Sequence, residues 1–268
     1  LRIDTLLRAR ATHRTEDLMA YQADVHAVQR DLFVPFLDTL GGLPARADTL
    51  RRLLSAWDGA TTVDRPEPLI LDVFLDLLED ATWDEAVFEA GFPPHQTVIY
   101  ELLRDDPTSK WFDRAATPQR EDGTAVLRAV LAATADTLAA RHGWGTERWR
   151  WGAHHGVLFQ HLTQTPALRA LWRGPYEYPG FSATLSPAGS RPTTHSASWR
   201  MVVDFSTAPP TGYGVYPGGQ SGNPFSPYYD AQVDTFVGFE YYPLLNPATP
   251  EAMPEARIAA RLLLIPVE

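Results

Sequence analysis

A chain of 268 residues, 44% of them hydrophobic, is long enough to bury a large core in one or two domains. Its 23 basic residues (a single lysine, Lys110, among them) against 33 acids leave a charge of −10, and no basic cluster exceeds Arg51-Arg52, which excludes a nucleic-acid binder. The absence of cysteine excludes disulfide scaffolds, thiolate metal sites and cysteine nucleophiles; no stretch reads as a membrane span and no signal peptide is read at the start.

In chain order, Ile3, Leu6 and Leu7 recur at helical spacing. Thr15 is the expected N-cap of a long second helix, with Glu16 and Asp17 in its first turn. Leu18, Tyr21, Val25, Val28, Leu32, Phe33 and Phe36 form one face of it, running to a stop at Gly41-Gly42. Helices are expected from Asp48 to about Trp57, from Leu69 to Leu78, from Val98 to Leu103 and from Gly123 to Arg141, the last closed by Gly143.

Composition then shifts across residues 145–180. Beyond Pro175 the chain is rich in Pro, Gly, Ser, Thr and Tyr. Residues 198–205 read as a strand, Ala208-Pro209-Pro210-Thr211-Gly212 as a turn, and Tyr213-Gly214-Val215-Tyr216-Pro217 as the returning strand of a hairpin. A Gly/Ser/Pro loop follows from Gly218 to Pro227, then a segment from Val233 to Tyr242 that fits helix or strand, and a closing strand from Ile258 to Val267. The expected class is α+β, with residues 1–175 mainly helical and 176–268 β-rich, sharing one domain. Leu1 opens inside an amphipathic helix without a cap, which reads as a fragment or processed piece.

His154, His155 and His161 are spaced by one, six and seven residues, with no carboxylate inside the segment. A seven-residue gap puts His154 and His161 on one side of a helix, two turns apart. That pattern favours hydrogen-bonded histidines near an aromatic cluster over a zinc helix. Gly219-Gln220-Ser221-Gly222 lacks the spacing of a nucleophile elbow and runs into Pro224, so it reads as a connector loop. Asp105-Asp106 and Glu79-Asp80 read as solvated acids, and neither a phosphate loop nor a calcium loop is present. Trp144, Trp149, Trp151, Trp172, Tyr176, Tyr178 and Phe181 form an aromatic concentration best read as packing.

Three stretches together resemble the penicillin acylase family of N-terminal-nucleophile hydrolases. The first is Arg2-Ile3-Asp4-Thr5-Leu6-Leu7 with Asp17-Leu18-Met19-Ala20-Tyr21-Gln22-Ala23-Asp24 and Pro35-Phe36-Leu37. The second is Trp149-x-Trp151-Gly152-x-x-His155-x-x-x-Phe159-x-His161. The third joins Ser198-Trp199-Arg200-Met201-Val202-Val203-Asp204 to the run from Pro217 to Gln232, where Tyr228 stands in a position that is His in many members.

The resemblance implies the C-terminal portion of a β subunit and part of a four-layer αββα fold, with the strands from about Ser198 adding to one of its sheets. It implies hydrolysis of a linear amide, in a penicillin or cephalosporin side chain or an acyl-homoserine lactone, by an N-terminal Ser exposed when a precursor cleaves itself. That Ser, the oxyanion Asn, the active-site Arg and the calcium-binding acids would all lie outside this chain. Arg2 aligns with a later helix position, so no catalytic, cofactor or metal residue is assigned here. The implied partners are the α subunit, the rest of the β subunit and a small amide substrate; the implied location is periplasmic or secreted. His155, His161, Gln220 and Ser221 are the residues expected to position neighbouring loops through buried hydrogen bonds. Two other readings compete: a non-catalytic binding module on the same scaffold, and a free-standing helical enzyme with a metal at its histidines.

Overall fold

The computed structural model describes residues 2–84, 93–115, 117–163, 165–189, 193–258, 260 and 262. In chain order the elements are α1 (Arg2–Arg8), α2 (Thr15–Gln22), α3 (Val28–Asp38), α4 (Ala45–Ala56), α5 (Glu67–Thr82), α6 (Gln96–Asp105), α7 (Gly123–His142) and α8 (Trp151–His154). The strands β1 (Gly156–Phe159), β2 (Arg173–Glu177), β3 (Ala188–Gly189), β4 (His195–Ser196), β5 (Arg200–Asp204) and β6 (Thr211–Val215) follow, then α9 (Val233–Val237) and β7 (Tyr242–Leu244). All strand pairs within the three small sheets are antiparallel, so the α+β class holds. The chain divides into two compact units, residues 1–3 with 24–196, and residues 4–23 with 197–268.

The first unit is built around α5. Its sequence, Leu-Ile-Leu-Asp-Val-Phe-Leu-Asp-Leu-Leu, is apolar on most of its circumference, with the exposed Asp76 and Asp80 marking the one side that meets solvent. Leu69, Ile70, Leu71, Phe74 and Leu78 are all inaccessible to solvent. α7 packs against it. Among the described residues α7 alone is long and apolar enough to cross a membrane, but Val126, Leu127, Val130, Leu131, Ala135 and Leu138 are buried in this core. The Asp122 side chain accepts the Ala125 N–H at 2.8 Å and starts α7; Gly143, at φ +79°, ends it as the sequence predicts.

The single long helix expected from Thr15 to Gly41 is instead two, α2 and α3, separated at residues 23–27. Apolar periodicity continues across the gap, but the backbone there bonds elsewhere. The Ala27 N–H donates to the Gly59 carbonyl (2.8 Å) and the Val25 carbonyl accepts from Thr61 N–H (3.0 Å), while His26 and Ala60 form a bridge. These bonds replace the i→i−4 ladder. Thr15 is not the N-cap either: it is the first helical residue, and Asp17 Oδ2 accepts the N–H of Arg14 at 3.0 Å. Asp48 lies inside α4, which starts three residues earlier at Ala45.

In the second unit the predicted hairpin is present. β5 and β6 pair from Arg200↔Val215 to Asp204↔Thr211, and β7 adds to β6. The segment from Val233 to Tyr242 is helical first, as α9, and extended only at its end, where β7 begins. Arg200 is buried; it donates to the Phe236 carbonyl and lies against the rings of Phe236 and Phe239, at 4.4 and 4.7 Å from their centroids. Most of the expected closing strand, 258–267, lies outside the described residues.

Candidate functional site

The Trp-Gly-x-x-His segment is where the chain concentrates buried polar geometry. It cannot be one helix carrying His154 and His161 on a face, because α8 ends at His154 and β1 begins at Gly156. That reversal sends the histidines apart. His154 is half-buried, bonded to the Arg148 carbonyl (2.9 Å) and packed on His142 at 4.2 Å between centroids. His161 is half-buried, and its Nδ1 accepts the Thr163 N–H at 3.3 Å. Only His155, 2% exposed, enters the interior.

α8 is docked through its backbone: Trp151 N–H donates to the Arg65 carbonyl and Gly152 N–H to the Val63 carbonyl, both at 2.8 Å. Gly152 is required by space, since a Cβ there would sit 2.8 Å from the Val63 Cβ and 2.8 Å from a Glu177 carboxylate oxygen. The Trp151 indole is buried, donates through Nε1 to the Gly180 carbonyl (3.1 Å) and stacks face to face on His155, with centroids 4.4 Å apart and planes 9° apart.

The imidazole sits between two carbonyl oxygens, Tyr178 at 2.7 Å from Nδ1 and Ala188 at 3.2 Å from Nε2. The shorter contact assigns the proton to Nδ1. Around it, the Gly180 N–H donates to the Thr61 carbonyl and hydroxyl (both 3.1 Å), the Thr61 hydroxyl donates to Val25 (2.7 Å), and the Ser186 N–H donates to Asp24 (2.9 Å). The segment 178–188 is thereby tied to α8, to 24–25 and to residue 61. The hydroxyls knitted into this node, Thr61 and Thr184, donate to backbone carbonyls. The arrangement is positional: these bonds fix the backbone of the 178–188 segment.

On the rim, the Arg150 guanidinium donates to the exposed Glu177 carboxylate (Nη1 to Oε2, 2.7 Å), and those hydrogen bonds, then the charge, hold Glu177 below the ordinary carboxylate range. Burial, then the neighbouring Asp76 and Asp80, push Glu79 up, so this acid is not simply a solvated one as its sequence implied. Among the described residues no three His, Asp or Glu converge into a cation cage.

Gln220 and Ser221 lie in the other unit, on the loop between β6 and α9. Gln220 is exposed and Ser221 half-buried, so neither makes the buried bonds expected of them. Both N–H groups donate to one acceptor, the Tyr228 carbonyl, at 2.8 and 3.2 Å. The Ser221 hydroxyl accepts the Asn223 N–H (3.1 Å), and Asn223 Oδ1 accepts the Phe225 N–H (3.0 Å). Gly219 is compelled by this fold-back: a Cβ would lie 2.1 Å from the Tyr228 carbonyl oxygen. The loop braces itself and is no nucleophile elbow.

Sequence reasoning singled out His155 but missed its partners. Tyr178 and Ala188 act through carbonyl oxygens, which carry no residue-type signal.

A family model described as penicillin amidase matches residues 1–251. The acyl-homoserine lactone acylase QuiP of Pseudomonas aeruginosa is 29% identical over 90% of this chain and 33% of its own length. The QuiP protein of Pseudomonas syringae pv. tomato is 32% identical over 63% of this chain and 22% of its own length. A thermostable penicillin G acylase from Alcaligenes faecalis superposes with a TM-score of 0.61 at 16% identity, over all of this chain and 52% of that one, which shows a shared fold. The chain thus spans about a third of the length of the first of these relatives.

Proposed function

Because this chain belongs to the penicillin amidase family, we propose that it is one portion of an acylase that hydrolyses the side-chain amide of an N-acyl-homoserine lactone, releasing a fatty acid and the free lactone. The single observation behind this is the pairing of a family match over residues 1–251 with relatives named as acyl-homoserine lactone acylases. The nucleophile is a Ser at the N-terminus of a processed subunit, outside this chain; its own α-amino group serves as base, usually through a water, and backbone and Asn donors hold the oxyanion. This chain's contribution is the packed scaffold: the His155 node and the self-braced loop at Gly219 hold backbone in place for neighbouring segments. The structural calcium of the family would be held by acids elsewhere in the precursor. The partners are the remaining portions of that precursor, matured by self-cleavage, and the setting is periplasmic or secreted.

The test is an assay of lactone release from a long-chain acyl-homoserine lactone. The 268-residue chain alone is expected to give no turnover, and the product of its whole reading frame to give turnover that is lost when the exposed N-terminal Ser is replaced by Ala. Turnover by the chain alone would place the nucleophile inside it and overturn the proposal.

A further inference from the structure

Two imidazoles outside the His155 node meet at the ends of two helices. His142 is the last residue of α7 and His154 the last of α8, and their ring centroids lie 4.2 Å apart with the planes tilted by 56°. Both side chains are half-buried, so the pair keeps a side toward solvent. Sequence spacing groups His154 with His155 and His161; the fold gives it His142 instead, twelve residues earlier. The connector between the two is braced. Gly143, at φ +79°, turns the chain out of α7. The buried Trp149 donates from Nε1 to the Gly143 carbonyl (3.0 Å), and the Arg148 and Trp149 N–H groups donate to the carbonyls of Gly145 and Thr146 at 3.0 and 3.1 Å. The backbone bonds of Trp151 and Gly152 to Arg65 and Val63 fix the far end. The rings are thus held in place by the packing beneath them.

The tautomer of His154 is set the way a metal ligand's is. Its Nε2 lies 2.9 Å from the Arg148 carbonyl, which can only accept, so Nε2 carries the proton and Nδ1 the lone pair. A backbone carbonyl on one ring nitrogen is the usual support of a histidine that ligates through the other. Two imidazoles bound to one ion at about 2.0–2.1 Å have centroids about 4.5–5 Å apart, so these rings need to part by less than about 1 Å. His142 ends a 20-residue helix, whose C-terminal partial negative charge favours a cation. Arg148 sets a positive charge nearby, its side chain 3.2 Å from where a Gly143 Cβ would be, and Glu147 at 3.7 Å offsets it. Among the described residues no third His, Asp or Glu joins the pair, so water would complete the coordination on the solvent side.

We propose that His142 and His154 bind one divalent transition-metal ion of the zinc or copper(II) class, which clasps the C-terminal end of α7 to α8. Imidazole nitrogens suit these ions, whereas calcium and magnesium require oxygen ligands that the pair does not offer. The clasp bears on the His155 node, because α8 carries Trp151, which stacks on His155 one residue past the helix end. The site differs from a metal at His154, His155 and His161, which the turn from α8 into β1 separates. It needs residues of the first unit alone and stands apart from the acylase reading.

Zinc chloride titrated calorimetrically into the 268-residue chain is expected to show binding that His142→Gln and His154→Gln each weaken by about tenfold or more, and that His161→Gln leaves unchanged. Copper(II) at one equivalent should give an electron paramagnetic resonance spectrum coupled to two imidazole nitrogens in the parent and to one in either variant. Zinc at about a hundred times its dissociation constant should lower the urea unfolding constant of the parent about a hundredfold and leave that of the double variant unchanged. A further measurement needs no variant: at the same zinc concentration, diethyl pyrocarbonate should modify His142 and His154 at least about tenfold more slowly, by peptide-resolved mass spectrometry, with His161 reacting as before. Binding that neither substitution weakens would place the ion on other histidines and overturn the site. Absence of both binding and protection at about 1 mM zinc would leave the two rings as packing alone and overturn it equally.

Discussion

Replacing His155 by Leu keeps the volume of the buried side chain and removes both ring nitrogens. The Tyr178 carbonyl, at 2.7 Å from Nδ1, then loses the imidazole's hydrogen bond in a buried position. An unsatisfied buried carbonyl costs about 1–3 kcal/mol, and the lost stacking on Trp151 about 0.5–1.5 kcal/mol more. The expected destabilisation is therefore roughly 2–4 kcal/mol. Urea unfolding followed by tryptophan fluorescence reads it as a lower midpoint at an unchanged slope. Hydrogen exchange adds a local signature: the Gly180 and Ser186 amides, which tie the 178–188 segment to Thr61 and Asp24, should exchange faster, while those of α7 change only with global stability. His155→Gln, which can still donate to Tyr178, should recover part of the loss. A midpoint for His155→Leu within about 0.5 kcal/mol of the parent would refute the claim that the imidazole holds the Tyr178 carbonyl, since it would put the substitution among ordinary surface changes.

Two further outcomes follow from the same geometry. Gly219→Ala places a methyl 2.1 Å from the Tyr228 oxygen, so the loop must open; limited proteolysis should cut between residues 218 and 230 far faster than in the parent, and unchanged protection would show that the fold-back is not obligatory. Glu177 is held below its ordinary range by Arg150, so its contribution to stability is present above the unfolded carboxylate value and is lost as pH falls through the lower folded one. The urea midpoints of the parent and Glu177→Gln should accordingly differ at neutral pH and converge below about pH 4; a gap that widens on acidification would reverse the assigned sign.

Much of the architecture was legible in the residues. Asp122-Gly123 and Gly143 bound α7, the largely apolar run at 69–78 marks a mostly buried helix, and the prolines at 209 and 210 announce the β5–β6 hairpin, although Thr211 and Gly212, expected in the turn, already belong to β6. These signals are local: a cap, a period or a turn acts within a few residues of itself. The family, too, was carried by short stretches in order along the chain.

What only the tertiary structure decided lies where a segment's backbone takes partners from far away in sequence. The helical period runs without interruption through residues 23–27, yet Gly59 and Thr61 claim the amide and carbonyl there and split the helix. The three histidines look like one cluster, but the turn from α8 into β1 leaves His155 alone inside, against the carbonyls of Tyr178 and Ala188. In the second unit Gln22 donates to the Met201 carbonyl of β5 from 179 residues away in sequence, a partner that no local signal announces. Hydrophobic pattern and turn chemistry determine which elements form; long-range backbone hydrogen bonds, which any residue type supplies, determine where they stop and which surfaces they leave open.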